Sequence, residues 1–165
     1  MRIINIGETE YTLEYTFAAA EHNQTVQKMF DLMSGAYIFK QAENPSKMTV
    51  SESTMAMING TGAMVADIPH VVKTAFYSGL LEHHEDIDEK EAYKLLKQYM
   101  RENKFSFMKV FNDIKACMEE DGFFDLSGLT EMLEEMNKGI EEDLNQKQKQ
   151  PKKPTDHKKK QTSTK

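Results

Sequence analysis

A change of period at Phe17 constrains this chain more than any other feature. Before it, Ile3, Ile4 and Ile6 run into the polar stretch Gly7-Glu8-Thr9-Glu10, and Tyr11, Leu13 and Tyr15 then alternate with Thr12, Glu14 and Thr16. Alternation on both sides of a glycine-bearing turn predicts a β-hairpin. After Phe17, Val26, Met29, Phe30 and Met33 recur at intervals of three and four, which predicts a helix that Gly35 ends. A lone two-stranded hairpin is marginal in water, so the helices that follow must cover its apolar face.

The remainder reads as a succession of helices. Ala36 to Met48 lacks periodicity and holds the turn-forming pair Asn44-Pro45, which makes it the first loop. Met55, Ile58 and Val65 fall at helical spacing, although Gly60 and Gly62 each weaken a helix by about 1 kcal/mol relative to alanine. At Asp67-Ile68-Pro69 a break and restart is expected, because a residue before proline is biased away from helix whereas proline suits a first helical turn. The new helix carries Val72, Ala75, Phe76, Gly79 and Leu80 on one face and gives way to an acidic connector from Glu82 to Asp88. Asp88 with Glu91 resembles a capping box, followed by the stripe Ala92, Leu95, Leu96, Tyr99 and Met100. Asn103 closes that helix, and Ser106 caps the next, whose stripe is Phe107, Val110, Phe111, Ile114, Cys117 and Met118. Gly122 is placed as a left-handed terminator, and Phe123 and Phe124 turn inward. Asp125 or Ser127 opens the last helix, with Leu129, Met132, Leu133, Met136 and Ile140 opposite an acidic face. The expected class is mainly α, a short N-terminal β-hairpin followed by a bundle of about five or six helices.

Charge divides the chain in two. Thirteen basic residues stand against 26 acidic ones before Gln146, and 8 against 1 from Gln146 onward. Residues 1–144 are expected to form one helical domain, and residues 145–165, rich in lysine, glutamine and proline, a disordered basic tail with nothing apolar to bury. The acidic body repels phosphate backbones, which makes nucleic acid an unfavourable partner for it. No window approaches the roughly 18 apolar residues of a membrane span, and the N-terminus turns polar at Gly7 where a signal peptide needs its apolar region, so a cytoplasmic protein is expected. The single cysteine, Cys117, has no partner for an internal disulfide and lies inside an apolar stripe, as a buried structural residue does.

Catalytic chemistry is not indicated. His83 and His84 are adjacent and flanked by carboxylates, the pattern of a solvated turn, and His22 and His70 lack a ligand at the spacing a helical zinc motif needs. Asn59-Gly60-Thr61-Gly62-Ala63 has no Gly-Lys-Ser/Thr ending, and no serine sits in a glycine-flanked elbow. No catalytic, metal or cofactor residue is therefore assigned. The chain does hold 12 methionines and no tryptophan. Met100, Met118, Met132 and Met136 fall on helical stripes and read as core, whereas Met55, Met57 and Met64 alternate in position and cannot all face one core. Flexible, polarizable methionines suit an adaptable surface for an apolar partner as well as they fill gaps.

The opening segment RIINIGETEYTLEYTFAAAEH, a short strand, a Gly-Glu turn, then YTLEYTF entering an alanine-rich helix, resembles the start of the tail assembly chaperones of long-tailed bacteriophages of Gram-positive hosts. The architectural likeness extends through Met33-Ser34-Gly35, the mid-chain helices and the acidic last helix before a low-complexity tail. The resemblance implies a small, mostly helical, non-enzymatic protein of the host cell cytoplasm that is absent from the mature virion. Such proteins bind and solubilise the long helical tape measure protein, help recruit tail tube subunits, form homo-oligomers, and occur with a longer frameshifted form of themselves. Lys158-Lys159-Lys160 and Lys152-Lys153 are the stretches whose codons admit the adenine runs on which ribosomes slip.

On this reading the expected contact residues for the apolar client are Met55, Met57, Met64, Phe76 and Leu80. The edge of the hairpin, marked by Ile4 and Thr12, is expected to join copies of the chain by strand pairing. The competing expectation is an acidic helical adaptor or regulator of a basic protein, for which the carboxylates of the last helix and of Glu82 to Glu91 speak.

Overall fold

The computed structural model describes residues 1–39 and 48–149. Strand β1 (Arg2–Ile6) pairs antiparallel with β2 (Thr9–Leu13) in the register Ile4↔Tyr11 and Ile6↔Thr9, which leaves Gly7 and Glu8 as a two-residue turn. Gly7 has φ +63, the left-handed first position that a type II′ hairpin turn requires. The period-two pattern has its expected consequence, since Ile4, Ile6, Leu13 and Tyr15 are all buried. Each such side chain contributes about 1.5–3 kcal/mol on leaving water.

The chain from Phe17 to Met33 is two helices instead of the single expected one, α1 (Phe17–Glu21) and α2 (Asn23–Met33). They part at His22, whose backbone is extended at ψ 91 and whose Nδ1 lies 2.9 Å from Thr25 Oγ1. Gly35, at φ +71, ends the run. Ala36–Phe39 forms a short α3, and the Asn44-Pro45 turn lies outside the described residues.

Next comes α4 (Val50–Leu80), one helix of 31 residues with Pro69 inside it. The expected break at Ile68-Pro69 is absent. A proline there removes the bond to the Val65 carbonyl and costs about 3 kcal/mol in an isolated helix. Burial outweighs the local bias: Ile68, Val71 and Val72 are each at most 3% exposed, so unwinding would withdraw them from the core, and Val65, half exposed, leaves its carbonyl near water.

Helices α5 (Glu89–Asn103) and α6 (Phe107–Glu120) begin at Asp88 and Ser106, whose side chains accept the Glu91 and Lys109 N–H at 2.7 and 3.2 Å. Their stripes face inward as the sequence predicts, with Ala92, Leu96, Val110, Ile114, Cys117 and Met118 buried. Gly122, at φ +73, stops α6 and leads into the one-turn α7 (Phe123–Leu126), which buries Phe123 and Phe124. The last helix, α8 (Leu129–Lys149), starts after Gly128 at φ +74, beyond both Asp125 and Ser127.

The first compact unit, Met1–Leu133, is organised around α4, which contacts α1, α2, α3, α5, α6 and β2. Lys28 of α2 donates to Asp67 of α4 at 2.7 Å, and Tyr37 of α3 donates to the same carboxylate. The second unit begins at Glu134 within α8, where Glu134 and Lys138 pair across one turn. Helix α8 runs past the composition change at Leu144; residues 150–165, most of the expected tail, lie outside the described residues. Met132, expected in the core, is instead 54% exposed. The architecture is mainly α with an N-terminal hairpin, and no helix among the described residues is long and apolar enough to cross a membrane.

Candidate functional site

The N-terminal half of α4 is where the chain departs from ordinary packing. It opens with a capping box that the sequence carries as Thr49-x-x-Glu52: Glu52 N–H donates to Thr49 Oγ1 at 3.3 Å, and Thr49 N–H to Glu52 Oε2 at 2.7 Å. Those hydrogen bonds from Thr49 lower the Glu52 carboxyl below its ordinary pKa. From Ser53 to Ala66 no residue is charged, in a protein where 29% are. Only Ala56 and Gly60 of that stretch are buried. A Cβ on Gly60 would lie 2.6 Å from the Ile38 Cα, so the glycine permits α3 to approach the helix backbone directly.

Away from α3 this half-helix is apolar and open to solvent. Val50 is 85% exposed, Ile58 61%, Met57 57% and Val65 50%, and Met64 is half-buried. Val50, Met57 and Met64 are spaced by seven and form one row, with Ile58 and Val65 as a second row about 100° round the helix. Together, with the exposed Thr54 and Thr61 between the rows, they make an uncharged and mostly apolar strip roughly 22 Å long at 1.5 Å per residue. Met55, exposed as well, stands three residues before Ile58 and about 60° round the helix from it, so it borders the second row on the side away from Met57.

The structure thus sets Met57 and Met64 on one row and Met55 beside the other, next to Ile58. It also corrects two expected contact residues. Phe76 and Leu80 are 0% exposed, because past Pro69 the same helix runs through the centre of the core; Phe76 stacks on Tyr99 at 6.4 Å between ring centroids. They are packing residues. Val50, Ile58 and Val65 take their place on the surface, and their heptad spacing with Met57 and Met64 was the available signal.

The expected strand edge is occupied. Ile4 is paired to Tyr11 and its side chain is buried, while the Thr12 N–H donates to His84 Nε2 at 3.0 Å. One residue further the strand is tied again, as Glu14 N–H donates to the Gly79 carbonyl at 2.8 Å and the Glu14 carboxylate pairs with His83. The histidine pair is therefore a tie between the end of α4 and β2, and β2 offers no free donor at Thr12 for a second copy.

Other polar groups serve packing. Asp121 accepts the Tyr15 N–H at 2.9 Å and pairs with the Met1 amino group. Burial pushes the Cys117 thiol up, which keeps it protonated and unreactive. Burial would raise the Asp67 carboxyl, but the hydrogen bonds from Lys28 and Tyr37 outweigh it and hold the group below its ordinary value. Burial likewise lowers His22, which favours its neutral ring against Tyr77. Among the described residues no cluster of His, Cys, Asp or Glu has metal-holding geometry. What the arrangement can do is bury apolar surface along an uncharged helical strip. Compared with protein-family models, curated proteins and solved structures, the chain has no match.

Proposed function

We propose that this protein is a chaperone for an apolar helical client, acting by binding and not by catalysis. The observation that carries the reading is the exposed N-terminal half of α4, whose Val50, Met57, Ile58, Met64 and Val65 form a strip started by its cap and backed by α3. Exposed apolar strips of this kind mark interaction sites, and unbranched methionine adapts to partners of varied shape. A client helix laid along the strip would bury matching apolar positions at three- and four-residue spacing. The acidic remainder of the body keeps such a complex dispersed. Joined to the resemblance of the opening segment, the reading becomes specific: the client is the tape measure protein of a long-tailed phage, bound in the host cytoplasm until tail tube subunits displace the chaperone.

Co-expression tests this. A tape measure protein from the same genome should stay in the supernatant with the wild-type protein and precipitate with Met57→Glu/Ile58→Glu. A tape measure protein equally soluble without any partner would overturn the proposal. Binding that collapses at high salt would favour the acidic adaptor reading instead, since apolar contacts tolerate salt whereas exposed ion pairs are screened.

A further inference from the structure

Helix α5 carries a second, differently built surface. Lys90, Lys94, Lys97 and Arg101 stand at offsets of zero, four, seven and eleven, which places all four within a narrow arc at about 100° per residue, and Lys104, the left-handed cap residue at φ +54, follows at the helix end. All five are exposed, and the helical row from Lys90 to Arg101 is roughly 17 Å long. None of them pairs with a carboxylate among the described residues. Every other lysine or arginine with a described side chain does: Arg2 and Lys109 with Asp113, Lys28 with Asp67, Lys73 with Glu89, Lys115 with Glu119 and Lys138 with Glu134. In a strongly acidic body, the unpaired cations are gathered into one line.

Two of the three carboxylates of α5 are engaged elsewhere: Glu89 pairs with Lys73, and Glu102 accepts from the Gly7 N–H and from Gln98, while the exposed Glu91 flanks the row about 60° round the helix from Lys94 without an ion pair among the described residues. Like charges three and four residues apart destabilise a helix, so the row opposes the stability of the element that bears it. Beside it Tyr93 is half-buried, with Lys97 Nζ 4.1 Å and Lys73 Nζ 5.4 Å from its ring centroid, which fixes the middle of the row against an aromatic face. Lys94, Lys97, Gln98, Arg101 and Glu102 border an open surface depression there.

We propose that this row binds an acidic helix of a partner protein, one presenting carboxylates along one face at the same three- and four-residue spacing. The complementarity is of sign, length and repeat, because two helices lying side by side share the same rise per residue. A nucleic acid strand meets the row too, but it must then lie against a body with 26 carboxylates to 13 cations, which repels a phosphate chain beyond the width of one helix face. The proposal is independent of the apolar strip on α4 and of the client proposed for it.

The test is fluorescence anisotropy on the full chain with three dye-labelled probes. The first is an alanine-rich helical peptide with glutamates at offsets zero, four, seven and eleven, the second a peptide of the same composition with its glutamates spread around all faces, and the third a single-stranded oligonucleotide. The first should bind, the other two at least about tenfold more weakly, and Lys94→Gln/Lys97→Gln/Arg101→Gln should weaken the first by about tenfold with far-UV helicity unchanged. Lys109→Gln/Lys115→Gln, which removes charge elsewhere, should leave it unchanged. Equal binding of both peptides, tighter binding of the oligonucleotide, or an equal loss in the control variant would overturn the proposal. So would a triple variant that binds no peptide differently but changes sedimentation, which would make the row a contact between copies. Should the triple variant lose helix, Lys97→Gln alone carries the same comparison.

Discussion

Replacing Gly79 with alanine separates the local preferences of α4 from its packing. On propensity alone the change stabilises a helix interior by about 1 kcal/mol. Here the added Cβ would lie 2.6 Å from Tyr15 Cζ and 2.7 Å from its hydroxyl oxygen, about 1 Å inside a normal carbon contact. Tyr15 cannot yield freely: it is 0% exposed, its ring meets Phe123 edge-on at 6.4 Å, and the neighbouring Glu14 N–H is bonded to the Gly79 carbonyl. Overpacking costs about 1–3 kcal/mol, and a 2.6 Å approach to a fully buried ring falls in the upper part of that range, about 2–3, so after the propensity gain of about 1 a net loss of about 1–2 kcal/mol is expected, or about 5 °C in Tm. Urea titration followed by far-UV circular dichroism reads it as a lower midpoint at unchanged slope. Tyr15→Phe removes the hydroxyl, which has no hydrogen-bond partner among the described residues, and should recover about 0.5–1 kcal/mol when combined with Gly79→Ala. A Gly79→Ala protein as stable as wild type, or an additive double variant, would refute the packing described for strand β2 on helix α4.

The two halves of α4 should answer truncation differently: Phe76→Ala is expected to cost about 3–5 kcal/mol and Leu80→Ala about 2–5, whereas Ile58→Ala should stay within about 0.5 kcal/mol, all read by thermal melting. Similar losses at all three positions would contradict the exposure of the N-terminal half. Stability should also fall as pH drops from about 6.5 toward 5, because burial depresses the His22 pKa and the unfolded chain then binds the proton more readily than the folded one. The urea midpoint followed across that range should show a shallower slope for His22→Gln than for wild type, and identical slopes would remove His22 as the cause.

Where the chain carries strong local signals, the fold was legible. Asp88 and Ser106 cap the helices that follow them, Gly35 and Gly122 stop those before them, and the stripes of α5 and α6 face the core because side-chain spacing alone decides which residues share a face. Spacing does not decide whether that face is covered. Phe76 and Ile58 belong to equally regular patterns of one helix, and only the elements packed on its second half bury the former and leave the latter in water. Pro69 misled for a related reason, since a preference of about 3 kcal/mol is set against several buried side chains that the local sequence does not count. The tie from Thr12 to His84 joins residues far apart in the chain, and nothing in either neighbourhood announces it.

Pro69 has one more effect. With no amide hydrogen at that position, the ladder of α4 lacks the rung that would join Val65 to it, at the point where the exposed stretch meets the buried one. A helix opening from its N-terminus therefore has a natural stopping place. Opening of the residues up to about Val65 withdraws few side chains from the core, whereas opening of Val71 to Leu80 withdraws many, so the first segment is expected to open at lower free energy than the second. The apolar strip can thus fray, re-form and adjust to what lies on it at little cost to the fold beneath.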